Sequence, residues 1–231
     1  ARMTGAAVDL LADLECDTVD FQPNYDESRT EPKVLPGKFP NLLVNGSIGI
    51  AVGMASNIPP HNPGEVCDAL IRFINNPDCQ IEHLLEVMPG PDFPTGGVIC
   101  GRQGILDAYA TGRGRLVVRG RITAEEEKEG RWSLIVEEIP YPPRRDLIIE
   151  RIAELVKEGV IEGISRIDDF ADRTNPYRIH IQLKKGEDPK VIENLLYQHT
   201  PLQETFGVNA IALVNGSIGI AVGMASNIPP H

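Results

Sequence analysis

Four arginines crowded into one short stretch are the residues whose type and spacing best fit a chemical task. Arg113, Arg115, Arg119 and Arg121 share one parity, while Gly114, Leu116, Val118 and Gly120 share the other. On a regular strand the period of two puts all four guanidiniums on one face, spread over roughly 26 Å at about 6.6 Å per repeat. No acidic residue lies between Tyr109 and Ala124 to neutralise them. Guanidinium groups in such a row can grip phosphate oxygens through paired N–H donors. A solvated face is the competing reading of any charge run. The chain, however, has 22 Lys and Arg against 33 Asp and Glu, a formal charge of −11. A molecule of that charge repels phosphate in bulk, so any nucleic-acid role has to come from a local basic patch.

A second candidate is Gly46-Ser-Ile-Gly49-Ile-Ala-Val-Gly53. It matches neither glycine-rich nucleotide fingerprint and has no lysine. Ile48, Ile50 and Val52 alternate on a glycine-flanked strand. They are either core residues or the apolar tip of a loop that wedges into a base step. Composition does not choose between these.

The remaining polar groups make no site. Asp13, Glu15, Asp17 and Asp20 straddle a helix end and read as solvated caps, not as a magnesium site. His61, His83, His180 and His199 have no cysteine, serine or acid at a ligand or triad spacing. None of Tyr25, Tyr109, Tyr141, Tyr177 and Tyr197 stands out as a nucleophile. Cys16, Cys67, Cys79 and Cys100 form no Cys-x-x-Cys pair, which points to reduced thiols and a cytoplasmic location. Aromatics at 5% argue against a stacking platform for single strands. The uncharged stretch from Phe39 to Gly64 is interrupted by asparagines, a histidine and prolines, so no membrane span is expected.

The elements that must position these residues read as α+β, a small mixed or antiparallel sheet with helical cover. Thr4 caps a helix with Ala7, Leu10, Leu11 and Leu14 on one stripe. Gln22 to Pro40 reads as a loop. Asn62-Pro63 opens a helix expected to bury Val66, Leu70 and Ile74. Short helices are expected around Ile81–Met88 and Gly104–Ala110, with a strand at Val98–Gly101. Arg115–Ile122 and Trp132–Ile139 read as a hairpin closed by the acidic loop Glu125–Gly130. Asp146–Glu158 is helical, with Ile148, Ile152, Leu155 and Val156 in register. Ile164–Ile167 and Tyr177–Leu183 are strands, the second with a buried and a wet face. Asp188-Pro189 opens a last helix.

Residues 43–61 recur letter for letter at 213–231, where the sequence stops. Repeats that build solenoids come in several copies and rarely match fully, so the second copy reads as a splice. It is not expected to reproduce the role of the first, nor Ile220 that of Ile50. The start, Ala-Arg-Met-Thr, has no initiator methionine or leader and reads as the interior of a longer chain.

Several motifs resemble one known family. They include Ala1-Arg2-Met3, Asp17-Thr-Val-Asp20-Phe21, Asn24-Tyr25-Asp26, Pro40-Asn-Leu-Leu-Val-Asn-Gly-Ser47, Gly49-Ile-Ala-Val-Gly-Met54 and Asn57-Ile-Pro-Pro-His-Asn62. Pro89-Gly-Pro-Asp-Phe-Pro-Thr95, Thr111-Gly-Arg-Gly114, Glu138-Ile-Pro-Tyr141 and Phe206-Gly-Val-Asn209 complete the set. Together they resemble, over about residues 1–212, the A subunits of bacterial type IIA DNA topoisomerases, DNA gyrase above all and topoisomerase IV nearly as closely. The resemblance implies that residues 1–35 are the tail of a winged-helix domain, 36–212 a tower domain, and 213–231 a duplicated addition. It implies a part of an enzyme that changes supercoiling by double-strand passage. The family's catalytic tyrosine and its preceding arginine fall upstream of Ala1, so no catalytic residue and no cleavage are expected here. Ile50 matches the isoleucine the family inserts between base pairs. Arg113, Arg115, Arg119 and Arg121 fall on the strand facing the DNA arms, and Lys38, Asn45 and Ser47 on the loop nearest the duplex. The implied partners are double-stranded DNA, the B subunit of the enzyme, and a second copy of the A subunit. The resemblance implies Mg²⁺ and ATP on the B subunit and no cofactor bound by this chain. A module that only supports neighbouring domains and dimerisation is the alternative.

Overall fold

The computed structural model describes residues 2–51, 54–127 and 130–211. Val52 and the second copy at 213–231, Ile220 included, lie outside the described residues. In chain order the elements are α1 (Gly5–Leu11), a 3-10 turn (Leu14–Cys16), β1 (Phe21–Pro23), β2 (Thr30–Pro32), α2 (Asn41–Val44), β3 (Ser47–Ala51) and β4 (Met54–Ile58). Then come α3 (Pro63–Asn75), α4 (Ile81–Leu85), β5 (Val98–Cys100), α5 (Gln103–Thr111) and β6 (Arg113–Arg119). The last are β7 (Arg121–Glu126), β8 (Trp132–Glu138), α6 (Arg145–Lys157), β9 (Ile164–Asp169), β10 (Ile179–Leu183), α7 (Pro189–His199) and β11 (Gln203–Asn209).

Helix starts follow local side-chain chemistry. The Ala7 N–H donates to the Thr4 hydroxyl, those of Gly64 and Glu65 to the Asn62 side chain, and that of Lys190 to Asp188. Each cap satisfies donors that the first helical turn leaves free. Pro63 and Pro189 sit where a missing N–H does no harm.

The fold is α+β with antiparallel sheets. A four-stranded sheet runs β7-β8-β10-β9, and a five-stranded one runs β3-β4-β11-β6-β5. Leu134, Val136, Ile179 and Ile181 of the first pack with Ile148, Ile152 and Leu155 of α6 and Ile192 and Leu196 of α7 into one core. In the second core Leu116, Val118, Phe206 and Val208 meet Ile105 and Ala108 of α5, with Leu85 and Phe93. On β10, Ile179, Ile181 and Leu183 are buried and His180 and Gln182 half-exposed, as the alternation requires.

Three expectations change. The Gln22–Pro40 loop contains the β1–β2 hairpin, held across its turn by the Asn24 N–H donating to Arg29 O at 2.9 Å. On α3, Val66 and Ala69 are buried, whereas Leu70, Ile71, Phe73 and Ile74 are exposed. Among the described residues, α3 is covered on its Val66 and Ala69 side only. Finally, the arginine run is not one strand. β6 pairs with β5 and β11, and β7 with β8, so the chain changes sheets at Gly120.

That crossing is tight. The Gly120 N–H donates to Leu202 O at 2.8 Å, and the Tyr197 hydroxyl donates to Gly120 O at 2.9 Å. A Cβ at Gly120 would lie 2.6 Å from the Glu138 carbonyl oxygen, and backbone cannot swing aside there as a side chain would. Gly120→Ala should therefore destabilise the fold by about 1–3 kcal/mol, as overpacking does. Urea denaturation measures it, and an unchanged midpoint would show that the two sheets are not joined through this close approach.

Candidate nucleic-acid interface

The five-stranded sheet brings the two leading candidates together. Residues directly opposite each other in antiparallel strands project to the same face. Ile48 pairs with Asn57, Asn57 with Asn209, and Asn209 with Arg113. Ile50 pairs with Ala55, and Arg115 with Gly207. Ile48, Ile50, Asn57, Asn209, Arg113 and Arg115 therefore lie on one side of the sheet. Three strand spacings of about 4.8 Å put Ile48 roughly 14 Å from Arg113. The opposite side carries Leu116, Val118, Phe206 and Val208 into the core.

Ile50 is 91% exposed and Ile48 62% exposed. Neither is a core residue, which removes that reading for these two. Arg113 and Arg115 are exposed, and among the described residues no carboxylate pairs with either. They border an open groove with Gln103, Asp107, Gly207 and Asn209.

Arg119 and Arg121 are placed differently. Arg119 donates from Nε and one terminal nitrogen to Gln203 Oε1 at 2.8 and 2.6 Å, with its guanidinium 4.5 Å from the Tyr197 ring centre. Arg121, on the other sheet, faces Glu138 at 3.4 Å. The single row of four unpaired guanidiniums is thus corrected to a free pair and two engaged groups. The partners missing from the local sequence, the Gln203 amide and the Glu138 carboxylate, arrive from neighbouring strands. Lys38 and Asn45 are exposed, and the Asn45 amide donates to the Asn41 side chain. Ser47 pairs with Ile58 and so projects to the side opposite Ile50.

The hairpin β3–β4 is pinned at its base. Ile58, Pro59, Pro60 and His61 are all buried. The His61 N–H donates to Val44 O at 3.2 Å and its ring Nδ1 to Leu43 O at 2.9 Å. A carbonyl only accepts, so Nδ1 carries the proton. Gly46 has φ +68, and a Cβ there would sit 2.3 Å from Ile58 O, so both backbone angle and space require glycine. The His61 ring lies 5.8 Å from that of Tyr109, and His61 Nε2 and the Tyr109 hydroxyl are both buried without a partner among the described residues.

Sequence reasoning sets His61 aside because no acid or cysteine stands at a ligand spacing. Its role is to brace backbone. The signal is the buried Pro-Pro-His run, legible only once its burial is known.

Burial pushes the His61 imidazole below its ordinary range, outweighing the carbonyls that favour its charged form. The unfolded chain then takes up a proton that the folded chain resists. This contribution to stability is intact above about pH 6.5 and is lost as pH falls below it toward the folded value. The melting temperature should drop more steeply between about pH 7.5 and 5.5 in the native chain than in His61→Gln. Equal slopes would assign the acid sensitivity to other groups.

No nucleophile is poised on this face. Burial raises the Tyr109 phenol and pushes that of Tyr197 up to about 12. Tyr141 stacks on Phe93, and Tyr25 is fully exposed in the β1–β2 turn. Among the described residues no three His, Cys, Asp or Glu side chains converge as a metal site, and no helix is long and apolar enough to cross a membrane.

Comparison with known proteins bears on this arrangement. The model of the DNA gyrase/topoisomerase IV A-subunit family matches residues 1–215. The DNA gyrase A subunit of Pseudomonas aeruginosa is 52% identical over 217 residues, covering 93% of this chain and 23% of its own length. That of Lawsonia intracellularis is 51% identical over 214 residues, 93% of this chain and 26% of its own length. The chloroplastic/mitochondrial DNA gyrase A subunit of Nicotiana benthamiana is 53% identical over 209 residues, 90% of this chain and 22% of its own. The chain spans about a quarter of the length of these relatives. With the match running through both sheets and the strands that carry Ile50, Arg113 and Arg115, the chain belongs to the DNA gyrase/topoisomerase IV A-subunit family.

Proposed function

We propose that this chain is the DNA-binding and DNA-bending part of a type IIA topoisomerase A subunit, of the gyrase kind that its relatives' names carry. The observation that supports it is an apolar side chain, Ile50, 91% exposed on the same sheet face as Arg113 and Arg115. An exposed isoleucine at a hairpin end is an unfavourable use of apolar surface unless something covers it. A base step does so when the duplex bends. Unstacking a step costs a few kcal/mol, offset by contacts that the bent path allows. Arg113 and Arg115 are the phosphate ligands of this reading, with Lys38 and Asn45 as flanking contacts. Arg119 and Arg121 are engaged, and their part is to hold the sheets in shape, while Ser47 is turned to the other side.

In this reading residues 1–35 are the tail of a winged-helix domain and 36–212 the tower. The whole enzyme adds the B subunit, which holds Mg²⁺ and ATP, and a second copy of the A subunit. No step of the bending described here passes through those groups. A structural reading draws on α3, whose Leu70, Ile71, Phe73 and Ile74 are 38–73% exposed and suited to pack against other parts of the parent protein.

In the parent A subunit, Ile50→Ala should reduce end-to-end fluorescence transfer in a short bound duplex and leave melting within about 0.5 kcal/mol. Retained bending, with a loss of about 2–5 kcal/mol in stability, would return Ile50 to the core. Arg113→Ala and Arg115→Ala should each flatten the salt dependence of duplex binding by roughly one contact, and Arg119→Ala should instead lower stability. Equal binding losses at all three would restore the single cationic row.

The chain by itself should neither cleave nor relax supercoiled plasmid, even with a B subunit, Mg²⁺ and ATP, because none of its described tyrosines is set up as a nucleophile. Linear product that depends on this chain would overturn that.

A further inference from the structure

The hairpin that carries Ile50 is joined to the arginine strands in an unusual way. β3 and β4 pair along their whole length, and β11 pairs with β6 from Gln203 to Asn209. Among the described residues the β4–β11 register runs through Asn57 opposite Asn209, and Ile211 beyond it stands in an isolated bridge. Side-chain bonds reinforce that backbone pairing. The Asn57 amide donates from Nδ2 to Gly207 O at 2.7 Å, and the Asn209 amide donates back to Ala55 O. The Ser56 hydroxyl donates to Ile211 O at 2.8 Å. The two asparagines thus form a reciprocal clasp, each reaching across the seam to the other strand's backbone.

A ladder of backbone bonds fixes two strands at one spacing and twist. Bonds carried on rotatable side chains keep their length while the strands turn relative to each other. The hairpin's base is held by the buried Ile58–His61 run, and toward its other end the Ile50 side chain is exposed. It is built as a lever, with the clasp between the anchored base and the apolar tip.

We infer that Asn57 and Asn209 are positioning residues that set the tilt of the Ile50 hairpin against the Arg113 and Arg115 strand, and so the angle to which a bound duplex is bent. This rests on the proposed function. Neither asparagine has to touch DNA. Each acts through the strand it holds.

The test uses a short duplex labelled at both ends, bound to the parent A subunit. Asn57→Ala, Asn209→Ala and the milder Ser56→Ala are compared with Ile50→Ala by transfer efficiency at saturating protein, affinity for the duplex at low occupancy, and melting. Both asparagine variants should lower transfer at saturation or broaden its distribution, with affinity held within about threefold. Asn57→Gln, which keeps an amide donor, should recover part of the bend. Should either alanine variant fail to fold, Ser56→Ala and Asn57→Gln carry the comparison. Lower melting with unaltered transfer in all folded variants would overturn the inference and make the clasp a stability feature only. If Ile50→Ala also leaves transfer unchanged, the bending function itself fails. If Ile50→Ala alone lowers it, bending stands and the clasp does not set its angle.

Discussion

The placement of β11 between β4 and β6 is the constraint on which the candidate interface depends. β11 is the last described strand in the chain, yet it occupies the centre of its sheet. Without it the hairpin bearing Ile50 and the strand bearing Arg113 and Arg115 have no common surface. Its register does two things at once. Phe206 and Val208 turn inward beside Leu116 and Val118, and Gly207 and Asn209 turn outward beside Arg115 and Arg113. Burial of the inner face thereby enforces the position of the outer one, because a slip of one residue would exchange the two.

The arginines show how a fold divides a run of like charges. Two of the four are drawn into structure. Arg119 is tied to Gln203 and lies over the Tyr197 ring, and Arg121 faces Glu138. A guanidinium over an aromatic face with its N–H groups engaged is held in place and poorly available to a phosphate. Arg113 and Arg115 remain exposed. On a chain of net charge −11, a free cationic pair beside an apolar tip gives this face a local attraction for anions. A local attraction beside Ile50 is what the proposed bending role requires. Affinity spread over the whole surface would hold a duplex without directing it onto Ile50.

Rigidity is distributed unevenly around this face. Behind it stand two closed apolar cores, joined where Gly120 passes beneath the Glu138 carbonyl. In front, the hairpin is firm at its base, where His61 spans to Leu43 and Val44, and joined to its neighbour by a short backbone pairing reinforced by side chains. The buried imbalance at His61 and Tyr109, two polar atoms without protein partners among the described residues, sits at that base. Unmatched buried polar groups oppose folding, so the surrounding packing has to hold them in place.

The amino-acid sequence by itself determined what depends on near neighbours. Thr4, Asn62 and Asp188 cap the helices they precede, Ile179, Ile181 and Leu183 define the buried face of β10, and the glycine-rich and Pro-Pro-His motifs place the chain in its family. The caps and the buried face follow from hydrogen bonds within one turn and from the period of two. Tertiary structure alone decided the rest. The break at Gly120 depends on Leu202 and Glu138, the loss of Arg119 on Gln203 and Tyr197, and the exposure of Leu70 and Ile74 on what α3 lacks as neighbours. Whether Ile50 was core or tip rested on the register of β4 against β11, an outcome of pairing between residues 55–57 and 207–211. Local pattern carries the period of a strand. It does not carry the identity of the strand's partner, and the partner decides which face meets water.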